Sequence, residues 1–157
     1  MALDTFQITT HFSNISTSNG STGSQKKRDE FSRNAQTAYA IGSGVQKANK
    51  GWSDARTLSG TETLDLAGAL INGVGDACVF SSIKGLYIRN TGTSGTLTID
   101  TGVANGATAL FGSINLGPGE EVVFQWRNGK TVTAATADLL RFVSTASLVY
   151  EISIAGE

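Results

Sequence analysis

Leu148, Tyr150, Ile152 and Ile154 alternate with Val149, Glu151 and Ser153 toward the C-terminal end of the sequence. A period of two places the first set on one face of a strand and the second on the other, so this stretch needs a core on one side and solvent or a partner on the other. Shorter runs of the same kind recur upstream. Val122, Phe124 and Trp126 share a face; Leu86 and Ile88 share another with Tyr87 and Arg89 opposite; Leu97 and Ile99 match them across the intervening loop. Candidate strands fall near 56–66, 78–90, 95–100, 109–115, 120–126, 130–135, 138–143 and 147–155. Turn chemistry separates them: Asn90-Thr91-Gly92-Thr93-Ser94-Gly95, Gly117-Pro118-Gly119, and Asn128-Gly129. The last is a hairpin signal, because both residues tolerate the positive φ of a two-residue turn. Short regular spacing without long helical patterns predicts an all-β fold, an antiparallel β-sandwich or jelly roll, with an extended N-terminal arm.

The arm follows from composition. Ser13 to Gln25 is almost entirely Ser, Thr, Asn, Gly and Gln, side chains that cannot offset ordering entropy by burial. Ahead of it, Phe6, Ile8 and Phe12 sit among polar neighbours as a strand able to add to something else. Lys26-Lys27-Arg28-Asp29-Glu30 reads as a solvated turn or helix start. Between 31 and 50 the pattern is mixed: Phe31, Ala35, Ala38 and Tyr39 fit helical spacing, Gly42 and Gly44 interrupt it, and no element is assigned. Trp52, beside a glycine in a polar stretch, is the kind of aromatic that anchors a loop to a core or a neighbouring subunit. The expected division is an arm over 1–55 and a sandwich over 56–157. With 19 glycines and one proline the chain favours tight turns over proline-rich disorder.

A net charge of −1 gives no bulk attraction to nucleic acid or an anionic membrane. The charges are unevenly placed: residues 1–60 hold seven Lys/Arg and four Asp/Glu, residues 61–157 five and nine. Cys78, the single cysteine, lies in an apolar run and reads as a small buried hydrophobe. No apolar stretch approaches the roughly 20 residues of a membrane span and no basic-then-apolar leader opens the chain, so the expectation is a soluble protein that is not exported.

Catalysis has little to draw on. His11 is the only histidine and lies in the polar arm, away from any group that would orient it. One Cys and one His do not make a structural zinc site; Asp65, Asp76 and Asp100 read as solvated strand ends rather than a calcium loop. Gly42-Ser43-Gly44 lacks the rest of a phosphate loop and reads as a flexible joint. Glu120-Glu121 reads as edge charges that discourage wrong pairing. Tyr87, Arg89, Trp126 and Arg127 come nearest to the interleaved aromatic and basic face of a nucleic-acid reader, but the module around them is acidic. The expectation is a non-enzyme without metal or cofactor.

Leu64-Asp65-Leu66-Ala67-Gly68, Ile83 to Asn90, Leu116 to Glu120, Thr136 to Arg141 and Val149 to Gly156 together resemble small virion proteins of tailed bacteriophages, β-sandwich modules that decorate or cement the head. The resemblance implies a structural virion protein, made in the host cytoplasm, that binds and stabilises the outer surface of a phage head. Its partners would be the major capsid protein and sister subunits, with a trimer as the expected homo-oligomer and neither nucleic acid nor membrane as a target. Phe6, Ile8, Phe12, Phe31, Tyr39 and Trp52 are the expected partner-binding anchors, since aromatic and large apolar side chains carry interface energy. The alternative is a tail- or fibre-associated host-recognition module that binds carbohydrate through Tyr87 and Trp126.

Overall fold

The alternating segment at 148–154 becomes the central partner in a nest of antiparallel strands. The computed structural model describes residues 6–18, 27–68, 70–73 and 75–157, with side chains described at 7–11 and, within those ranges, from 35 onward. Thirteen strands run in order: β1 Phe6–Ser18, β2 Lys27–Ile41, β3 Lys47–Ala48, β4 Lys50–Leu58, β5 Thr61–Asp65, β6 Leu70–Ile71, β7 Ala77–Cys78, β8 Ser82–Asn90, β9 Leu97–Asp100, β10 Ser113–Leu116, β11 Glu121–Thr131, β12 Leu139–Ser144 and β13 Leu148–Gly156. The described residues contain no helix.

Two four-stranded sheets make the sandwich, one ordered β11-β8-β13-β4 and the other β10-β9-β12-β5. The antiparallel pairs nest: β9 with β10, β8 with β11, β5 with β12, β4 with β13. Successive pairs alternate between sheets, so a single long double ribbon is rolled up on itself. That is the jelly-roll arrangement of two interlocked Greek keys, and it resolves the choice the sequence left open. Further pairings of β12 with β9 and β13 with β8 close each sheet.

Alternation drives the packing. Leu148, Tyr150, Ile152 and Ile154 are buried, as are Leu140 and Phe142 from β12, Leu97 and Ile99 from β9, and Leu86 and Ile88 from β8. These belong to one core cluster between the sheets, which Cys78 joins as a buried free thiol. Because β8 and β9 lie in opposite sheets, the Leu86/Ile88 and Leu97/Ile99 pairs belong to facing layers rather than to neighbouring strands. Phe142 stacks on Tyr150 at 4.8 Å between ring centroids.

Three local expectations are corrected. The run at 56–66 is two strands, because Gly60 (φ +90°) turns the chain from one sheet to the other between β4 and β5. Asn128-Gly129 is no hairpin: β11 continues through it, and the register steps from Gln125↔Gly85 to Lys130↔Ile83 as a bulge. Gly129 holds φ +80°, and a Cβ there would run into Ser82 and Lys84. The segment 130–135 therefore supplies the end of β11 and a turn rather than a strand of its own. Between 31 and 50, where no element was assigned, β2 runs to Ile41 and β3 and β4 follow.

The chain divides into a ribbon, Gln7–Ala38, and a body that takes in Tyr39–Glu157. The expected boundary at 55/56 falls inside β4, which pairs along its whole length with β13. In the ribbon β1 lies beside β2, and Thr10 Oγ1 donates to the Ala35 carbonyl at 3.5 Å.

Candidate binding surfaces

Two of the six expected anchors belong to the body itself. Trp52 is 3% exposed in the core cluster and its indole N–H donates to the Ile71 carbonyl at 3.0 Å. Tyr39 is 4% exposed, and its hydroxyl donates to the Lys84 carbonyl at 3.3 Å. Burial pushes the Tyr39 phenol pKa up, against an opposing hydrogen bond with Gln125. Ile8 is half-buried within the ribbon. Phe6 and Phe12 lie in β1 and Phe31 in β2; their side chains fall outside the described set.

Tyr39 is held where the outer face of the β8 sheet is nearly bare. The aligned row Gln125, Gly85, Ala155 and Gly51 crosses all four strands with almost no side chain beyond Gln125. Beside it sits a clasp. Lys84, 1% exposed, gives its ammonium to the carbonyls of Gly44 and Asn128, both at 3.0 Å, and to Glu157 Oε1 at 2.8 Å. The other Glu157 oxygen accepts the Gly44 amide at 2.8 Å. Burial pushes the Glu157 carboxyl pKa up, but Lys84 and the Gly44 amide outweigh it and hold it below its ordinary value. A buried ammonium needs several acceptors, and the bulge at Asn128-Gly129 supplies one of them. The Gly42-Ser43-Gly44 joint is thereby pinned: Gln46, at φ +54°, also donates its amide to the Arg127 carbonyl at 2.8 Å.

A second polar chain ties the open edge of the sandwich, where β4 and β5 end the two sheets. Tyr150, fully buried, donates its hydroxyl to Glu62 Oε2 at 3.0 Å. Arg56 binds Glu62 and reaches Asp54 at 2.8 Å. Desolvation, then the Glu62 charge, push the Tyr150 phenol far above its ordinary range, and the hydrogen bond to Glu62 raises the Arg56 pKa further. Both stay protonated through the physiological range, so the network is a fixed set of donors on carboxylate acceptors. The Tyr–Glu–Arg–Asp chain was not anticipated from sequence; the spacing of Asp54 and Arg56 on an edge strand was its only local sign.

The remaining polar candidates are dispersed. His11 is exposed in the ribbon. Asp65 accepts the Ala67 amide, Asp76 donates its amide to Asn72, and Asp100 accepts the Gly102 amide. That amide and then Arg141 hold the Asp100 carboxyl below its ordinary value. Among the described residues no three His, Cys, Asp or Glu side chains gather as metal ligands would. Glu120 accepts the Gly117 amide at 2.6 Å and Glu121 accepts the Tyr87 hydroxyl at 3.1 Å. Trp126 is half-buried and faces inward, stacked on Phe124 at 5.2 Å, which in turn stacks on Phe111 at 4.9 Å. Tyr87 and Arg89 point to the outer face, whereas Trp126 does not share it. No family model, curated protein or solved structure matches the chain.

Proposed function

We propose that this protein is a structural virion component, a decoration or cement protein that attaches to the outer surface of a phage head through its N-terminal ribbon and one edge of its sandwich. One observation carries the reading: a body with its own continuous core carries a ribbon, Gln7–Ala38, whose described side chains, at 7–11 and 35–38, are nowhere fully buried. A two-stranded ribbon is marginal alone in water, and gains most by adding to a sheet edge or laying apolar side chains on a partner. Jelly rolls recur among capsid, lectin and cupin domains, which is support by analogy of fold alone.

With Tyr39 and Trp52 engaged inside the body, the anchors left for a capsid protein or a sister subunit are Phe6, Ile8, Phe12 and Phe31. A trimer around local threefold positions is the assembly proposed. The test is to quantify the polypeptide in purified particles against the shell subunit, and to add back full-length protein and a chain lacking residues 1–38 to stripped heads. The expected result is a copy number comparable to that of the shell protein and loss of binding on truncation. Trace copy number, or undiminished binding by the truncated chain, overturns the reading.

A further inference from the structure

The outer face of the β8 sheet is open beyond the Tyr39 seat, and there a depression of about 490 Å³ is lined by Ser53, Asp54, Ala55, Tyr87, Glu151 and Ser153, among others. A second, of about 350 Å³, lies at the β4 and β5 edges and is lined by Arg56, Thr63, Asp65, Trp52 and Leu64, among others. Asp54 lines both. The two adjoin at Asp54, on the β4 edge of the sheet, as a polar groove. Tyr87, Ser153 and Ser53 stand in a single aligned row across β8, β13 and β4. With strands about 4.8 Å apart, that row alone spans about 10 Å.

We propose that this groove binds a neutral, hydroxyl-rich glycan chain. Its polar groups are mostly acceptors: Asp54, Asp65 and Glu151 are carboxylates, joined by the hydroxyls of Ser53, Ser153 and Thr63. Sugar hydroxyls donate to carboxylates in charge-assisted bonds, whereas sulfated or phosphorylated chains are repelled. The guanidinium in the groove, Arg56, is already engaged by Glu62 and Asp54 and offers an anion little. Tyr87 brings the aromatic ring against which the C–H face of a pyranose packs, and its hydroxyl is fixed by Glu121.

The groove is also prepared for a ligand. Asp54 Oδ1 accepts the Ala55 amide at 2.9 Å and Oδ2 meets Arg56, which also binds Glu62, a carboxylate that accepts the buried Tyr150 hydroxyl. A carboxylate has further lone-pair sites, so a ligand adds bonds to a side chain whose position is already set. This site is independent of head attachment, and each reading stands or falls separately.

The full-length protein is titrated by calorimetry with cellohexaose, maltohexaose and chitohexaose, and with a heparin hexasaccharide as the anionic probe. The expected result is binding of at least one neutral hexasaccharide in preference to heparin. Tyr87→Ala and Glu151→Gln each weaken it at least about tenfold while thermal unfolding is unchanged, and Tyr87→Phe retains it. Silence from all three neutral probes, tighter binding of heparin, or full affinity in both Tyr87→Ala and Glu151→Gln overturns the proposal.

Discussion

The body and the ribbon use the same secondary structure for opposite ends. In the body, alternate residues of the sandwich strands enter a common core, and even polar groups such as Lys84 and Asn90 are buried with partners. Among the described side chains of the ribbon, Ile8, Ala35 and Thr37 are only half-buried and the rest are exposed. Strand geometry alone, then, says little about stability. What separates the described parts of the two regions is how far their alternate positions are buried, because the apolar area removed from water dominates the favourable side of folding.

The comparison is sharpened first by side chains that look like arm residues in the sequence but belong to the body. Trp52→Ala is expected to destabilise the fold by about 3–5 kcal/mol, the range for deleting a buried aromatic side chain, measured by denaturant unfolding. Lys84→Met keeps the aliphatic stem but strands the Gly44 and Asn128 carbonyls and the Glu157 carboxylate. Because Glu157 can regain some water, the expected cost is about 2–4 kcal/mol. Tyr150→Phe removes one donor from Glu62, which keeps Arg56, and leaves the apolar ring to stack on Phe142. Its cost is expected at about 1–2 kcal/mol.

The strands with clean alternation were legible from sequence: β8, β9, β12 and β13 lie within a few residues of their expected positions, and all β4–β13 pairs belong to the expected class. What was not legible depends on distance in the chain. Asn128-Gly129 has hairpin chemistry, yet it forms a bulge whose Asn128 carbonyl accepts from the buried Lys84 ammonium across the ladder. Trp52 sits in polar surroundings and Tyr39 in a segment of mixed pattern, and only the pairing of β4 with β13 and the bare row through Gly85 and Ala155 give them a place inside. The groove shares that origin: Tyr87 was visible as an outward aromatic, but folding of separate strands brings Asp54 to line depressions with Ser153 on one side and with Thr63 and Asp65 on the other. Asn90 is legible as a turn residue, but not its reach: its amide nitrogen donates to the Leu116 carbonyl as well as that of Gly95, both at 3.1 Å, and so fixes two turns.

Acid titration probes the clasp with a smaller effect. Glu157 and Asp100 have folded pKa values below their ordinary 4.5 and 3.8. The unfolded chain therefore binds protons at higher pH than the folded one, so their contribution is present above those ordinary values and is lost as pH falls through the depressed ones. Stability is expected to decline below about pH 5, and Glu157→Gln to flatten that decline, as read from unfolding midpoints across pH.

The smallest expected effect on stability tests the comparison most directly. Removal of residues 1–38 leaves Tyr39, its bond to Lys84, and the pairing of Ala40 and Ile41 with β3 intact. If the ribbon adds no layer to the core, the truncated body unfolds within about 1 kcal/mol of the full chain, the scale of changes away from buried features. A loss as large as that from Trp52→Ala would mean that the ribbon's strands find their second layer in their own body, and the division between a self-sufficient core and a strand pair that needs a partner would fail. Near-equal stability, together with lost attachment to heads, would place the ribbon's alternate positions against another subunit instead.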